Sequence, residues 1–384
     1  MASGRVQLAV TGTQDEYITG QPQITFFLKQ FKRHTRFAIE TLDNPFDGTA
    51  DFGNTINCVV PRKGDVVRNM FLRIELSPLT GVGSETPGYT ASIGHAVVEW
   101  ADLIIGGQTI ERITGEYMEM FSEFSVSNSQ QDAYYRMVGK TYQRDGLGVA
   151  SSTPGTTPFG NYPLVFMVPL PFYFYRNSNL GIPLYAITRQ EVEVRVKFKG
   201  LNEVIVLPGD TDIPSDGTVG NMNKVSLLTE YAYLTQDEKD FISSRPINYV
   251  VEQLQLSRAR IDSGVNQASF RLNFTNPVKE LYFIVQPGLA IQRNDIFNYN
   301  NPNSSMNDQI VDLELDLNDE TMISKDVASG LYLRRVHPLQ YHVRTPTRVI
   351  YNYSFALEPD NPEPSGQVNM SRIINKVLKI NLTD

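Results

Sequence analysis

Four histidines, a lone cysteine and three clusters of charge are the residues here whose types and spacing could do chemistry. His34, His95, His337 and His342 include no pair at the spacing of a zinc-binding helix. His337 and His342 lie around Pro338, too far apart for neighbours on one strand face, and no close His-x-His stands beside a carboxylate for a cupin-type metal. Structural histidines are the expectation. Cys58 alone can build neither an intramolecular disulfide nor a thiolate metal site, which fits a reducing compartment. Gly139-Lys140-Thr141 ends like a phosphate loop, but Tyr134 occupies the position of the leading glycine, so this reads as an ordinary loop. No G-x-S-x-G nucleophile elbow occurs. Asp312, Glu314 and Asp316 alternate as Ca²⁺ ligands can, yet Leu317 stands where an EF-hand needs Gly, so a solvated strand face is the better reading. The residues predict no enzyme, no cofactor and no metal.

A basic run, Lys29, Lys32, Arg33 and Arg36 with His34 among them, carries no acid. It sits in a chain with 34 Lys plus Arg against 42 Asp plus Glu, net −8, and that balance argues against whole-surface or sequence-specific nucleic-acid binding. Such a run is most often a solvated face, with nucleic acid, anionic lipid headgroups or acidic neighbours as its functional partners, direct genome binding being the weaker option. Sequons occur at Asn273, Asn303, Asn352, Asn369 and Asn381. Only Asn303, in the asparagine-rich loop 294–307, is a candidate for surface sugar, and the N-terminal residues lack the apolar length of a secretory signal.

The elements that must position these groups read as strands separated by Gly, Pro, Asn and Asp, the all-β pattern. At 384 residues, with 41% hydrophobic and 20% charged residues, the chain is expected to fold as two domains. A strand core is predicted at Ile24, Phe26, Phe27 and Leu28, and two strands around an Arg62-Lys63-Gly64-Asp65 turn in which Gly64 supplies a positive φ. Gly106-Gly107 predicts a tight turn between strands, and Glu191–Phe198 alternates strictly. Met118, Phe121 and Phe124 recur at helical spacing, so residues 115–139 predict a short helix or two. Residues 200–223 read as a linker, a strand follows at Lys224–Leu234, and Thr235 with Glu238 predicts a capping box opening a helix through Ser243. Strands are predicted at Tyr249–Leu256, Ala268–Phe274 and Lys279–Gln286, and Val311, Leu313, Leu315 and Leu317 are expected inward. The longest apolar run, Leu164–Tyr175, is broken by Pro169 and Pro171 and is too short to span a bilayer, so a soluble protein is expected.

The stretch Gln14–Glu40, QDEYITGQPQITFFLKQFKRHTRFAIE, closely resembles the N-terminal segment of the major capsid proteins of nucleocytoplasmic large DNA viruses. Further blocks resemble that family in the same order: Phe52-Gly53-Asn54 with Arg62–Asp65, Ile105–Gln108, Val168–Phe172 with Ile182–Leu184, Glu252-Gln253, Phe274–Pro277, and Tyr353–Leu357 with Pro364–Gly366 and Ser371–Ile373. The resemblance implies two consecutive jelly rolls of the eight-stranded type with short helices in loops. It divides the chain into an N-terminal arm at 1–23, a first jelly roll at 24–200, a linker at 201–223 and a second jelly roll at 224–384. Family members run on past this region, so the second roll is expected to lack its last strand and to leave an open edge.

The function implied is structural. Three chains would form a pseudo-hexagonal capsomer, and capsomers would tile an icosahedral shell, assembled in the host cytoplasm and carried in the virion. The implied partners are two further copies, neighbouring capsomers, minor capsid proteins and the inner viral membrane surface, with Lys29, Lys32, Arg33 and Arg36 as assembly or inner-face contacts. Two alternatives are a minor or penton-type capsid paralogue and a carbohydrate-binding jelly-roll virion protein. The second would need an exposed aromatic platform, for which Tyr89 and Tyr162 are available.

Overall fold

The structure, a computed structural model, describes residues 3–79, 88–140, 150–151, 164–175, 177–206, 220–301 and 307–383. The chain forms two units, residues 1–37 and residues 38–384. The first carries two short helices, α1 (Ser3–Ala9) and α2 (Glu16–Thr19). Asp15 tightens its turn by accepting from the Gly12 amide at 2.7 Å. The strand predicted at Ile24–Leu28 is absent, because strand propensity alone gives a backbone no partner to bond. The side chains of Ile24, Phe26, Phe27 and Leu28 are exposed instead.

The second unit carries all but the first residue of β1 (Phe37–Pro45), then β2 (Thr55–Val59), β3 (Val66–Leu76) and the short β4 (Gly88–Tyr89). After α3 (Ile93–Ala96) come β5 (Val98–Ile105), β6 (Gln108–Thr114), α4 (Gly115–Ser125) and α5 (Gln131–Val138). Then follow β7 (Ala150–Ser151), β8 (Leu164–Pro169), β9 (Ile182–Pro183), β10 (Val192–Phe198), β11 (Ile205–Val206) and β12 (Met222–Leu234). One sheet orders β1-β12-β3-β8, with β9 also on β3; a second orders β2-β10-β5-β6; a small third orders β11-β4-β7. Alternation builds the core between them: Val192, Val194, Val196 and Phe198 of β10 and Leu72, Ile74 and Leu76 of β3 are buried. In β3 the inward positions slip from Val67 to Met70, and a bulge opposite Glu230/Tyr231 accounts for the slip. Gly106 and Gly107 both hold positive φ (59° and 79°), so the predicted two-residue turn forms.

Three expectations are corrected here. β2 and β3 flank Arg62–Asp65 as predicted but belong to different sheets, and Gly64 is not among the positive-φ residues. A Cβ on Gly64 would stand 2.5 Å from the Tyr231 Cβ, so glycine is needed there for close approach. Gly64→Ala is therefore expected to cost about 1–3 kcal/mol by overpacking, read as a lowered thermal midpoint; an unchanged midpoint would refute the contact. The strand at 224–234, placed in the second roll by its sequence, pairs along β3 from Met222↔Leu76 to Ala232↔Val66 and so completes the first sheet. The Tyr89 proposed for a glycan platform is fully buried, its hydroxyl donating to the Ser77 carbonyl at 2.9 Å; Tyr162 lies outside the described residues.

Beyond β12 the helix α6 (Gln236–Ser243) forms as predicted, but the Thr235 side chain makes no cap hydrogen bond, so the capping box is not built. Residues 247–262 carry neither helix nor strand, where a strand was expected at Tyr249–Leu256. They act as a strap instead. Tyr249 Oη donates to Gly181 O, Gln253 Nε2 to Ile110 O and Arg258 to Glu116, all in the first half. Gln255 grips the Thr275 backbone of the second half through both amide atoms, and Glu252 pairs with Lys279.

The second half holds β13 (Gln267–Arg271), β14 (Pro277–Val278), β15 (Glu280–Phe283), α7 (Gly288–Gln292), β16 (Ile310–Leu317) and β17 (Glu320–Ile323). A π-helical turn at Tyr332–Val336 leads into α8 (His337–Tyr341), then β18 (Tyr351–Ser354), β19 (Val368–Asn369) and β20 (Lys376–Leu382). The main sheet orders β13-β20-β16-β17, with β14-β19 and β15-β18 as separate pairs. The final strand is thus interior, bonded to β13 on one side and β16 on the other, and leaves no open edge of its own. Leu313 and Leu315 point inward as predicted, but an irregularity between Ile310 and Asp312 turns Val311 outward. Most of the expected linker and of the loop at 144–161 lies outside the described residues.

Candidate functional site

Among the described residues no group of three or more His, Cys, Asp or Glu could hold a metal ion. From β20, Lys379 bonds Glu314 at 2.6 Å and Asp316 at 2.7 Å of β16, and Asn381 donates to Asp312, so the acidic alternation is already occupied by the chain's own donors. Cys58 is buried, and burial pushes its thiol up to about 11, away from nucleophilic character. Lys29, Lys32, Arg33 and Arg36 are exposed in the first unit and form no ion pair among the described residues; Lys29 sits over the Phe31 ring at 5.4 Å. Asn303 lies outside the described residues.

The chemistry that the fold does concentrate is a buried charge network between the two halves. It starts on α4, whose Thr114 N-cap accepts from the Tyr117 amide at 3.3 Å. Gly115 lets α4 begin against α3: a Cβ there would lie 2.2 Å from His95 O and 2.6 Å from Val98 O. Glu119 and Glu123, one turn apart on this helix, are fully buried. Like charges at that spacing repel and are costly to bury, so both need cations from elsewhere.

The cations come from three places. Gly139 (φ 76°) ends α5 in the left-handed conformation and turns Lys140 inward, where its Nζ lies 2.9 Å from Glu119 and also pairs with Glu123. Arg348, some 200 residues on, donates from Nε to Glu119 at 2.6 Å and from Nη1 to Phe297 O at 2.6 Å. Glu123 accepts from the Thr347 amide and hydroxyl at 2.6 and 2.7 Å, with Arg344 at 3.6 Å. His95 completes the first side, with Nδ1 2.7 Å from Glu119 and Nε2 3.1 Å from the Tyr134 hydroxyl. Burial would raise both carboxyls, but Lys140 and Arg348 outweigh it, holding Glu119 well below its usual range and Glu123 down at about 2. Both are carboxylates at neutral pH.

A second polar knot adjoins the first. His342 is bracketed by Asp360 at 3.2 Å, Glu280 at 3.3 Å and Asn352 at 3.1 Å, and its ring packs on Phe124 of α4 at 4.7 Å. Burial opposes its charge, but hydrogen bonds to Asp360 and Glu280 raise it to about 9. His337, buried and stacked between Tyr341 and Tyr353, has no partner on Nδ1 among the described residues, and burial pushes it down to about 4. His95 and His342 are thus satisfied structural histidines, as their spacing predicts. Glu119, Glu123 and His95 are closed to solvent, and the network ties the two halves together.

Comparison with known proteins agrees with this architecture. Residues 25–235 match the family described as major capsid protein N-terminus, and residues 238–384 match the large eukaryotic DNA virus major capsid protein family. The major capsid protein of Phaeocystis pouchetii virus is 27% identical over all of this chain and 94% of its own length. The fold is that of the double jelly-roll capsid proteins. PBCV-1 VP54 superposes with a TM-score of 0.75 at 23% identity, covering 94% of this chain and 87% of that one. The Faustovirus major capsid protein gives 0.71 at 12% identity, covering 99% and 92%.

Proposed function

Since the chain belongs to the large eukaryotic DNA virus major capsid protein family, we propose that three copies close into a pseudo-hexagonal capsomer and that capsomers tile an icosahedral shell. Its role is structural and its place is the virion capsid. The observation that carries the finer reading is the buried network joining the two halves. A ring of three chains presents six rolls only if each chain keeps its two rolls in one fixed relation, and Glu119, Glu123, Lys140 and Arg348 supply that constraint. Shell contacts then come from broad surfaces and need no catalytic group.

We place the division between the rolls near residue 235. The pairing of β12 with β3 supports this, as does the change of family match between residues 235 and 238. Neighbouring capsomers and minor capsid proteins are the further partners in this reading, with assembly in the host cytoplasm. Light scattering tests it: three chains of 43.3 kDa should give about 130 kDa, unchanged on dilution. A monomer mass at all concentrations would sink self-trimerisation.

A further inference from the structure

We propose that the outer edge of β13 is a docking site for an extended, acidic segment of another polypeptide, which adds there as a strand. β13 ends its sheet, with β20 on one side only. The Leu272 amide donates to Lys376 O, and Asn266 O accepts from the Leu382 amide, so both groups face β20. Backbone groups alternate in direction along a strand, so those of Gln267, Ser269 and Arg271 point away from it. None of these outward groups has a protein partner among the described residues, and all three residues are exposed. An edge of this kind is a ready template for another chain.

The strap already imitates such a chain at one point. Further along the same edge, Gln255 Nε2 donates to Thr275 O at 2.7 Å and Gln255 Oε1 accepts from the Thr275 amide at 2.9 Å. The side-chain amide stands where a neighbouring strand's peptide group would, and it holds the strap a side chain's length off the edge. A cleft of about 380 Å³ opens there, lined by Gln255, Leu256, Ser257, Asn273 and Phe274.

Charge and backbone together select the partner. From Gln253 to Val278 the chain carries Arg258, Arg260 and Arg271 against Asp262 alone, although the whole is net −8. The carboxylates of β16 lie beyond β20 and are held by Lys379 and Asn381. The edge offers donors and acceptors in alternation, which a polypeptide backbone matches and a row of phosphates, all acceptors, does not. The site does not depend on trimerisation.

The test is fluorescence anisotropy of a labelled heptapeptide alternating glutamate and valine, titrated with the full chain. It should bind, and N-methylation of its backbone amides should weaken it by about tenfold or more. A lysine–valine peptide should bind at least about tenfold more weakly. Ser269→Pro deletes the central outward N–H and should weaken binding to the same extent with the melting temperature kept, since an edge strand tolerates proline there. Should that variant fail to fold, the N-methylated peptide makes the same test on the wild-type chain. Combining Arg258→Gln, Arg260→Gln and Arg271→Gln should weaken the glutamate peptide about tenfold and leave the lysine peptide no weaker. Absence of binding at about 1 mM peptide overturns the proposal, as does binding that neither N-methylation nor Ser269→Pro changes. Equal binding of the lysine peptide, or displacement of the glutamate peptide by single-stranded DNA, overturns the choice of an acidic polypeptide.

Discussion

Glu119→Gln is expected to lower the free energy of unfolding by about 3–5 kcal/mol, the usual cost of breaking a buried ion pair by removing one partner. The substitution keeps shape but deletes the charge that faces both Lys140 and Arg348, and it turns one accepting oxygen into a donating amide among donors. Glu123 would then stand alone against Lys140, Arg344 and Arg348. Because Arg348 comes from the second half and Glu119 from the first, the loss falls on the joint and on its cooperativity. Trp100, the sole tryptophan, lies on β5 and reports the first half, whereas circular dichroism reports both. In urea the wild-type transitions should coincide by the two probes, and those of Glu119→Gln should separate. Arg348→Met should cost less, since it leaves Glu119 with Lys140 and His95, and a double-mutant cycle should return a coupling of about 1–3 kcal/mol. A Glu119→Gln cost below about 1 kcal/mol with coincident transitions would remove the network from its role as the joint.

What the sequence discloses here follows the range of the interactions. The Gly106-Gly107 turn is legible because two consecutive positive-φ positions restrict the residue type, and β10 because Glu191–Phe198 alternates without a break. The α4–α5 pair is legible from Met118, Phe121 and Phe124. The misplacement of β12 has a simple cause: strand pattern gives a face but no partner, and its partner β3 lies some 150 residues earlier. The same limit hid the network. His95, Lys140 and the carboxylates each read as ordinary alone, and the meeting of Glu119 with Arg348 across 229 positions is a tertiary fact. One sign was present, namely two glutamates one turn apart flanking a buried apolar stripe, with Arg344 and Arg348 at the matching interval downstream.

Stability should peak near pH 6.5, because two histidines five positions apart are displaced in opposite directions. His342 is raised from 6.5 to about 9 by Asp360 and Glu280 working against burial. Its native state holds a proton that the unfolded chain releases above pH 6.5, so its contribution is complete below 6.5 and is lost as pH climbs through 9. His337 is lowered to about 4 by burial. Below pH 6.5 the unfolded chain takes up a proton that the native ring refuses, so stability falls as pH drops toward 4. Each displacement corresponds to something on the order of 3 kcal/mol. Glu123 extends the acid limb, since its contribution is complete above 4.5 and disappears toward pH 2. Urea midpoints measured across this range separate the two limbs. His342→Gln should flatten the alkaline limb and leave the acid one intact. His337→Phe, which keeps an aromatic ring between Tyr341 and Tyr353, should flatten the acid limb between 6.5 and 4. If His342→Gln kept the full alkaline loss, the bracket of Asp360 and Glu280 could not be what holds the second half at high pH.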